Sequence, residues 1–177
     1  MQRVTNHQLM KRLIHAVTDL ALAFCFGGGI VAAISATVIF RESAARGYER
    51  AHANVLAGEM FAKVGLPLLI AACLVGVGCI YAALKPPLNE LPGKLKVNAW
   101  RAMAVVGLLI ALSVGYMEGI GNRRMHELRR VGKWDGAKLA SAEEQIEFDG
   151  LHKQATAIYS FAILASGALL FSRRALS

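Results

Sequence analysis

Lysine, arginine, aspartate and glutamate are missing from four long stretches of this chain: residues 20–40, 64–84, 102–117 and 154–172. A soluble domain of this length would distribute its apolar residues as stripes along amphipathic helices. Pooling them into charge-free blocks is membrane segregation. Regular apolar/polar alternation is also missing, which excludes the strand pattern of a membrane barrel. Cysteine is scarce, and Cys25, Cys73 and Cys79 all fall inside charge-free stretches. A disulfide framework is therefore excluded, and small polarizable packing residues are the simpler reading. Acidic residues number 12 against 20 Lys and Arg. The positive charge is nevertheless interleaved with acids and tied to the bilayer, which excludes nucleic acid as a partner. No serine has a base and an orienting group at motif spacing; Ser35, Ser113, Ser160 and Ser166 stand alone in apolar sequence. The chain is accordingly read as no enzyme.

What is present fits that segregation. The chain has 177 residues, is 55% hydrophobic and carries a formal charge of +8. A bilayer span takes about 17–25 apolar residues, and in lipid every backbone amide must be satisfied within its own segment. The sequence therefore predicts one polytopic domain over 1–177, with helical spans at about 17–40, 64–84, 100–120 and 154–172. The fold class is all-α: an integral membrane four-helix bundle with a short helical extension between spans three and four. The first apolar run is longer than the ~7–15 residues of a signal-peptide core, so it reads as a retained span.

The connections carry their own signals. Residues 41–63 have mixed charge and helix-like composition, and Pro67 is a point where the second span could kink. Pro86, Pro87, Asn89, Pro92 and Gly93 make 85–95 a turn. Residues 123–130 continue the third helix beyond the membrane, with Glu127 spaced to pair with Arg123 or Arg130. Asp135 and Gly136 mark a turn, and Ser141 with Glu144 forms a capping box that starts a helix near Ala142. Lys and Arg divide almost evenly between the two sides. Unopposed charge on the termini and the second connection favours both termini in the cytoplasm.

Membrane helices associate through close packing at small residues. Gly107, Ala111, Gly115 and Gly119 form a ladder at every fourth position of span three. Gly28 and Gly29 begin two such faces in span one, and the setting of Gly27, Gly28 and Gly29 inside a span rules out a nucleotide loop. Asp19 sits just inside the first span, and an ionisable residue there is either functional or interfacial. His15 and His152 begin on opposite membrane sides and cannot pair across one haem; His52, His126 and His152 share a side without ligand spacing. No metal and no cofactor is expected. Arg123, Arg124 and His126 form a basic collar suited to anionic headgroups.

Several landmarks resemble the transmembrane-protein-205-like family (domain of unknown function 4149). They are Gly27, Gly28 and Gly29 followed by Phe40-Arg41, then Ala57-Gly58-Glu59-Met60-Phe61, Asn122-x-Arg124 and Phe148-x-x-Leu151-His152. The family usually has Ser three residues after that His, where this chain has Ala155, and its first connection is shorter. The resemblance implies a four-helix bundle without established activity, whose best-known member is linked to drug resistance. It also implies that Arg41, Phe61, Arg124 and His152 form a polar cluster at one membrane side.

Three functions follow as expectations. The first is a non-catalytic scaffold or accessory subunit, packing on other membrane proteins or on itself and on lipid, with Arg41, Arg123, Arg124, His126 and His152 facing polar or lipid groups. The second is an oligomeric transporter or exporter of a small molecule or metal. The third is a haem or redox subunit.

Overall fold

Why the chain forms a few long helices follows from where its helix breakers lie. In the computed structural model, which describes residues 6–48, 50–85, 94–135 and 138–176, α1 spans Asn6–Ala45 and α2 spans Arg50–Leu84. Between them Gly47 adopts φ +71°. Its N–H reaches the Ala44 carbonyl at 3.1 Å and the Tyr48 N–H reaches Ser43 at 2.9 Å, a Schellman stop that satisfies the last carbonyls of α1. Most of the expected 41–63 connection is therefore helix, because its Glu, Ala and Arg residues propagate helix once outside the bilayer. The turn expected at 85–95 lies almost wholly outside the described residues, as does Gly136.

The third helix, α3 (Lys94–Tyr116), passes through a π turn (Met117–Gly121) into α4 (Asn122–Val131). The Asn122 N–H bonds to the Met117 carbonyl five residues back, the mark of the wider turn. A two-residue antiparallel ribbon follows, β1 (Trp134–Asp135) with β2 (Lys138–Leu139). Then α5 runs unbroken over Ala142–Leu176. Its start uses the expected cap: the Glu144 N–H donates to Ser141 Oγ at 3.4 Å and the Gln145 N–H to the Ser141 carbonyl at 3.0 Å.

The four long helices form a ring in which α1 packs on α2 and α5, and α3 packs on the other side of both. All four are long and apolar enough to cross a membrane. Their outer surface agrees: Leu20 is 73% exposed, Leu66 65% and Leu164 70%. A shell of exposed leucine is at home only in hydrocarbon, so the chain is a multi-pass membrane protein. Inside, Leu22, Val75, Ile110 and Val114 form the main core, and a smaller core joins Met117, Met125, Leu128 and Leu139 to Phe148.

Candidate functional site

Helix contacts are tight at one end of the bundle and open at the other. Gly76 and Gly107 bring α2 and α3 together: a Cβ on Gly107 would lie 2.8 Å from the Cys79 Cβ. On the α1–α5 seam, a Cβ on Gly29 would overlap Ile163, and one on Gly167 would come within 2.9 Å of the Phe26 ring. The other expected packing residues behave differently. Ala111 meets Gly76 and Gly115 only grazes Leu69, while Gly28 has only Phe24 of its own helix nearby and Gly119 has nothing within 4 Å.

From Gly29 and Ile163 the seam parts, and a cavity of about 960 Å³ opens between α1, α2 and α5, with the π turn and α4 as its remaining wall. Its lining runs along α1 from Phe24 to Phe40, about 24 Å at 1.5 Å per residue. Facing walls are small: Ala33, Ala36 and Thr37 on α1, Thr156 and Ser160 on α5. Thr37 and Thr156 turn their hydroxyls back to the carbonyls of Ala33 and His152, at 3.0 and 2.9 Å. Those two hydroxyls thus donate within their own helices.

The π turn aims one carboxylate into this space. Tyr159 donates a short hydrogen bond to Glu118 Oε1, and Asn122 Nδ2 donates to the Tyr159 oxygen at 2.7 Å. Glu118 is seated against Gly65 of α2, where any side chain would collide with its carboxylate. The π turn itself closes over Met117, whose side chain fills the space beside Gly121. In the sequence Glu118 is only the charge that ends the apolar run 102–117, near the end of the third span. Only the extra residue of the π turn, which is invisible to periodicity, rotates it inward.

The mouth is polar. Arg123, His126, Lys138 and His152 line it and are exposed. Arg129 is half-buried with its guanidinium 5.4 Å from the Phe148 ring centre, and His152 stacks on the other ring pairing of Phe148 at 6.4 Å and 7°. Arg124 faces away. It grips Glu147 with a two-pronged contact, Nε to Oε1 at 2.7 Å and Nη2 to Oε2 at 2.9 Å, and touches Glu127 at 3.3 Å. Glu127 thus pairs with Arg124 rather than with Arg123 or Arg130, because Glu147 holds that guanidinium within reach. In this stretch beyond the apolar part of α5, the fork holds the Glu147 carboxyl below its ordinary range and raises Arg124. Arg41 points to solvent beside Glu42 at 3.6 Å. Of the four landmark residues only Phe61 and His152 share the cavity, so the expected cluster does not assemble.

A second polar group lies at the opposite end of the bundle and was only half legible. Asp19 accepts from Arg173 Nε at 2.8 Å, and Arg173 is just 4% exposed. Arg173 Nη2 sits 3.1 Å from His15 Nδ1, and the guanidinium lies 5.7 Å from the Trp100 ring centre. Among the described residues Nη1 has no hydrogen-bond partner. Asp19 is therefore one half of a buried ion pair rather than a free interfacial acid. His15 and His152 stand at opposite ends, as their positions imply, and His126 and His152 line the same cavity while His52 packs on Tyr48. Among the described residues no three His, Cys, Asp or Glu side chains gather as a metal site.

Comparison of the chain with protein-family models, with curated proteins and with solved structures returns no match.

Proposed function

We propose that this chain is a non-catalytic membrane protein that binds an amphipathic small molecule between its helices and passes it along or presents it. The cavity carries this reading. Ligand sites are typically about 300–1,000 Å³, mostly apolar, with a few convergent polar groups, and 960 Å³ lined by Phe24, Phe61 and Ile163 under a polar mouth has that character. Among the described residues no serine, threonine or cysteine of the lining is hydrogen-bonded to a histidine side chain or a carboxylate, which favours binding over chemistry. Of the functions expected from sequence, the transporter reading gains most from this cavity. Two of the residues singled out by the family resemblance, Phe61 and His152, lie on the lining, whereas Arg41 and Arg124 do not. With both termini in the cytoplasm, the mouth opens on the opposite face.

The test is a tryptophan at Ser160, on the cavity wall. The Ser160→Trp protein, purified beside wild type in mild detergent, is expected to lose co-purified small molecules seen by native mass spectrometry while keeping its unfolding midpoint. Identical bound species in both would refute the reading.

The accessory-subunit reading keeps one specific support. A Cβ on Gly119, at the foot of the span-three ladder, would meet nothing within 4 Å among the described residues, and Leu112 two turns earlier is 61% exposed. A second membrane helix, from a partner or another copy, would fit there. Gly119→Leu should release such a partner in gentle detergent; an unchanged complex would argue against it.

A further inference from the structure

The cavity's polarity and its place in the bilayer together specify a class of ligand, an inference that rests on the binding function proposed above. We infer that the occupant is an anionic lipid, taken sideways from the bilayer between α1 and α5, with its acyl chain among the helices and its acidic headgroup at Arg123 and Lys138.

Three observations converge. The first is length. A single leaflet contributes about 15 Å of the ~30 Å hydrocarbon core, and the lining extends about 24 Å along α1. One leaflet's chain, with its headgroup above, fits that extent. The second is access. Ala33 and Thr37 on α1, and Thr156 and Ser160 on α5, are at once cavity lining and exposed at the bundle surface. The seam between these helices is therefore a slot that opens toward lipid, walled by side chains too small to close it.

The third is charge. Arg123, His126 and Lys138 surround the mouth, and none of them forms an ion pair among the described residues. Two carboxylates also line the cavity. Asp149 accepts from Gln145 Nε2 at 2.9 Å and Glu118 from Tyr159, and against these two carboxylates the lining carries three fixed cations, Arg123, Arg129 and Lys138. The excess of positive charge favours an outside anion. A phosphodiester at the mouth would be reached by the Arg123 fork and the Lys138 ammonium, with His126 able to donate a further hydrogen bond. A zwitterionic headgroup would add a trimethylammonium to this positive rim and be disfavoured.

The test uses two fluorescent probes with identical acyl chains, phosphatidylglycerol and phosphatidylcholine, titrated into the full-length protein in neutral detergent micelles. Each basic residue near an anionic headgroup is worth about fivefold in affinity. The Arg123→Gln/Lys138→Gln variant should therefore bind the phosphatidylglycerol probe roughly thirtyfold more weakly, with phosphatidylcholine binding almost unchanged. Arg124→Gln removes a positive charge from the outward face, already paired with Glu147, and should change neither. Ser160→Trp should abolish binding of both probes by filling the chain site. Equal affinity for the two probes, insensitive to Arg123→Gln/Lys138→Gln but lost in Ser160→Trp, would overturn the anionic class and leave the cavity reading standing. Binding unaffected by Ser160→Trp would overturn both.

Discussion

Replacing Asp19 with asparagine isolates the cost of keeping the Arg173 cation inside the bundle. Arg173 is 4% exposed and Asp19 is the carboxylate it binds, at 2.8 Å. Removing one partner of a buried pair typically costs about 3–5 kcal/mol, because the remaining charge stays desolvated. Two contacts survive in the variant: the 3.1 Å approach of His15 and the stacking on Trp100. A cation over an aromatic face returns about 0.5–2 kcal/mol, and that contact already exists in the parent, so it limits relaxation rather than adding stability. Destabilisation of about 3 kcal/mol is the expectation for Asp19→Asn.

The reverse change is expected to be milder. In Arg173→Met, Asp19 is 24% exposed and still has Arg174 at 3.8 Å, so water and a surface cation take over its charge. Surface pairs of that kind are worth about 0–1 kcal/mol, and the methionine adds apolar packing beside Trp100. The double variant Asp19→Asn/Arg173→Met should recover most of the loss, since replacing a buried pair with packed apolar groups is often neutral. Equilibrium unfolding in mixed micelles, followed by tryptophan emission, reads all three directly because Trp100 lies in the cluster. A loss under about 0.5 kcal/mol for Asp19→Asn, or a larger loss for Arg173→Met than for Asp19→Asn, would refute the claim that the arginine is the desolvated partner.

Other perturbations test the rest of the architecture. Gly107→Ala places a Cβ 2.8 Å from Cys79 and should cost about 1–3 kcal/mol in the same unfolding assay, whereas Gly119→Ala, with open space around it, should change stability by less than about 0.5 kcal/mol; equal effects would contradict the described α2–α3 contact. Tyr159→Phe strands Glu118 and Asn122 without their shared hydroxyl and should lose about 1–3 kcal/mol, measured against Tyr116→Phe as an exposed control. The Glu147 carboxyl is depressed by Arg124, so its contribution should be complete above the ordinary carboxylate pKa, decline as pH falls below it, and be gone once acid titrates the folded-state group. An unfolding midpoint with the same acid limb in Glu147→Gln as in the parent would show that this fork contributes nothing to the pH response.

The sequence made the long helices legible because lipid leaves the backbone no alternative, and the Ser141 cap because its partners lie three and four residues away. Close packing at Gly107 was legible for the same local reason. What escaped is non-local. Arg173 looks like an ordinary anchor at the end of a span until α5 returns it to Asp19, 154 residues distant in sequence. Glu118 looks like an ordinary charge near the end of the third span until the π turn rotates it toward Tyr159. Glu127 had two basic partners at suitable spacing, Arg123 and Arg130, and took a third because Glu147, on another helix, had already fixed Arg124.

The same α1–α5 seam explains both ends of the molecule. At one end, Gly29 and Gly167 let the helices touch, and the Asp19–Arg173 pair ties them. At the other, small residues face each other without a glycine contact or a large side chain to close the gap. Under the binding function proposed above, the parted seam is the place of the ligand. Water can satisfy the mouth, where Arg123 and Lys138 solvate it, but has few partners deeper down among Phe24, Leu68 and Ile163. A chain with a polar end meets both demands at once, and the bilayer at the open slot supplies such molecules in abundance.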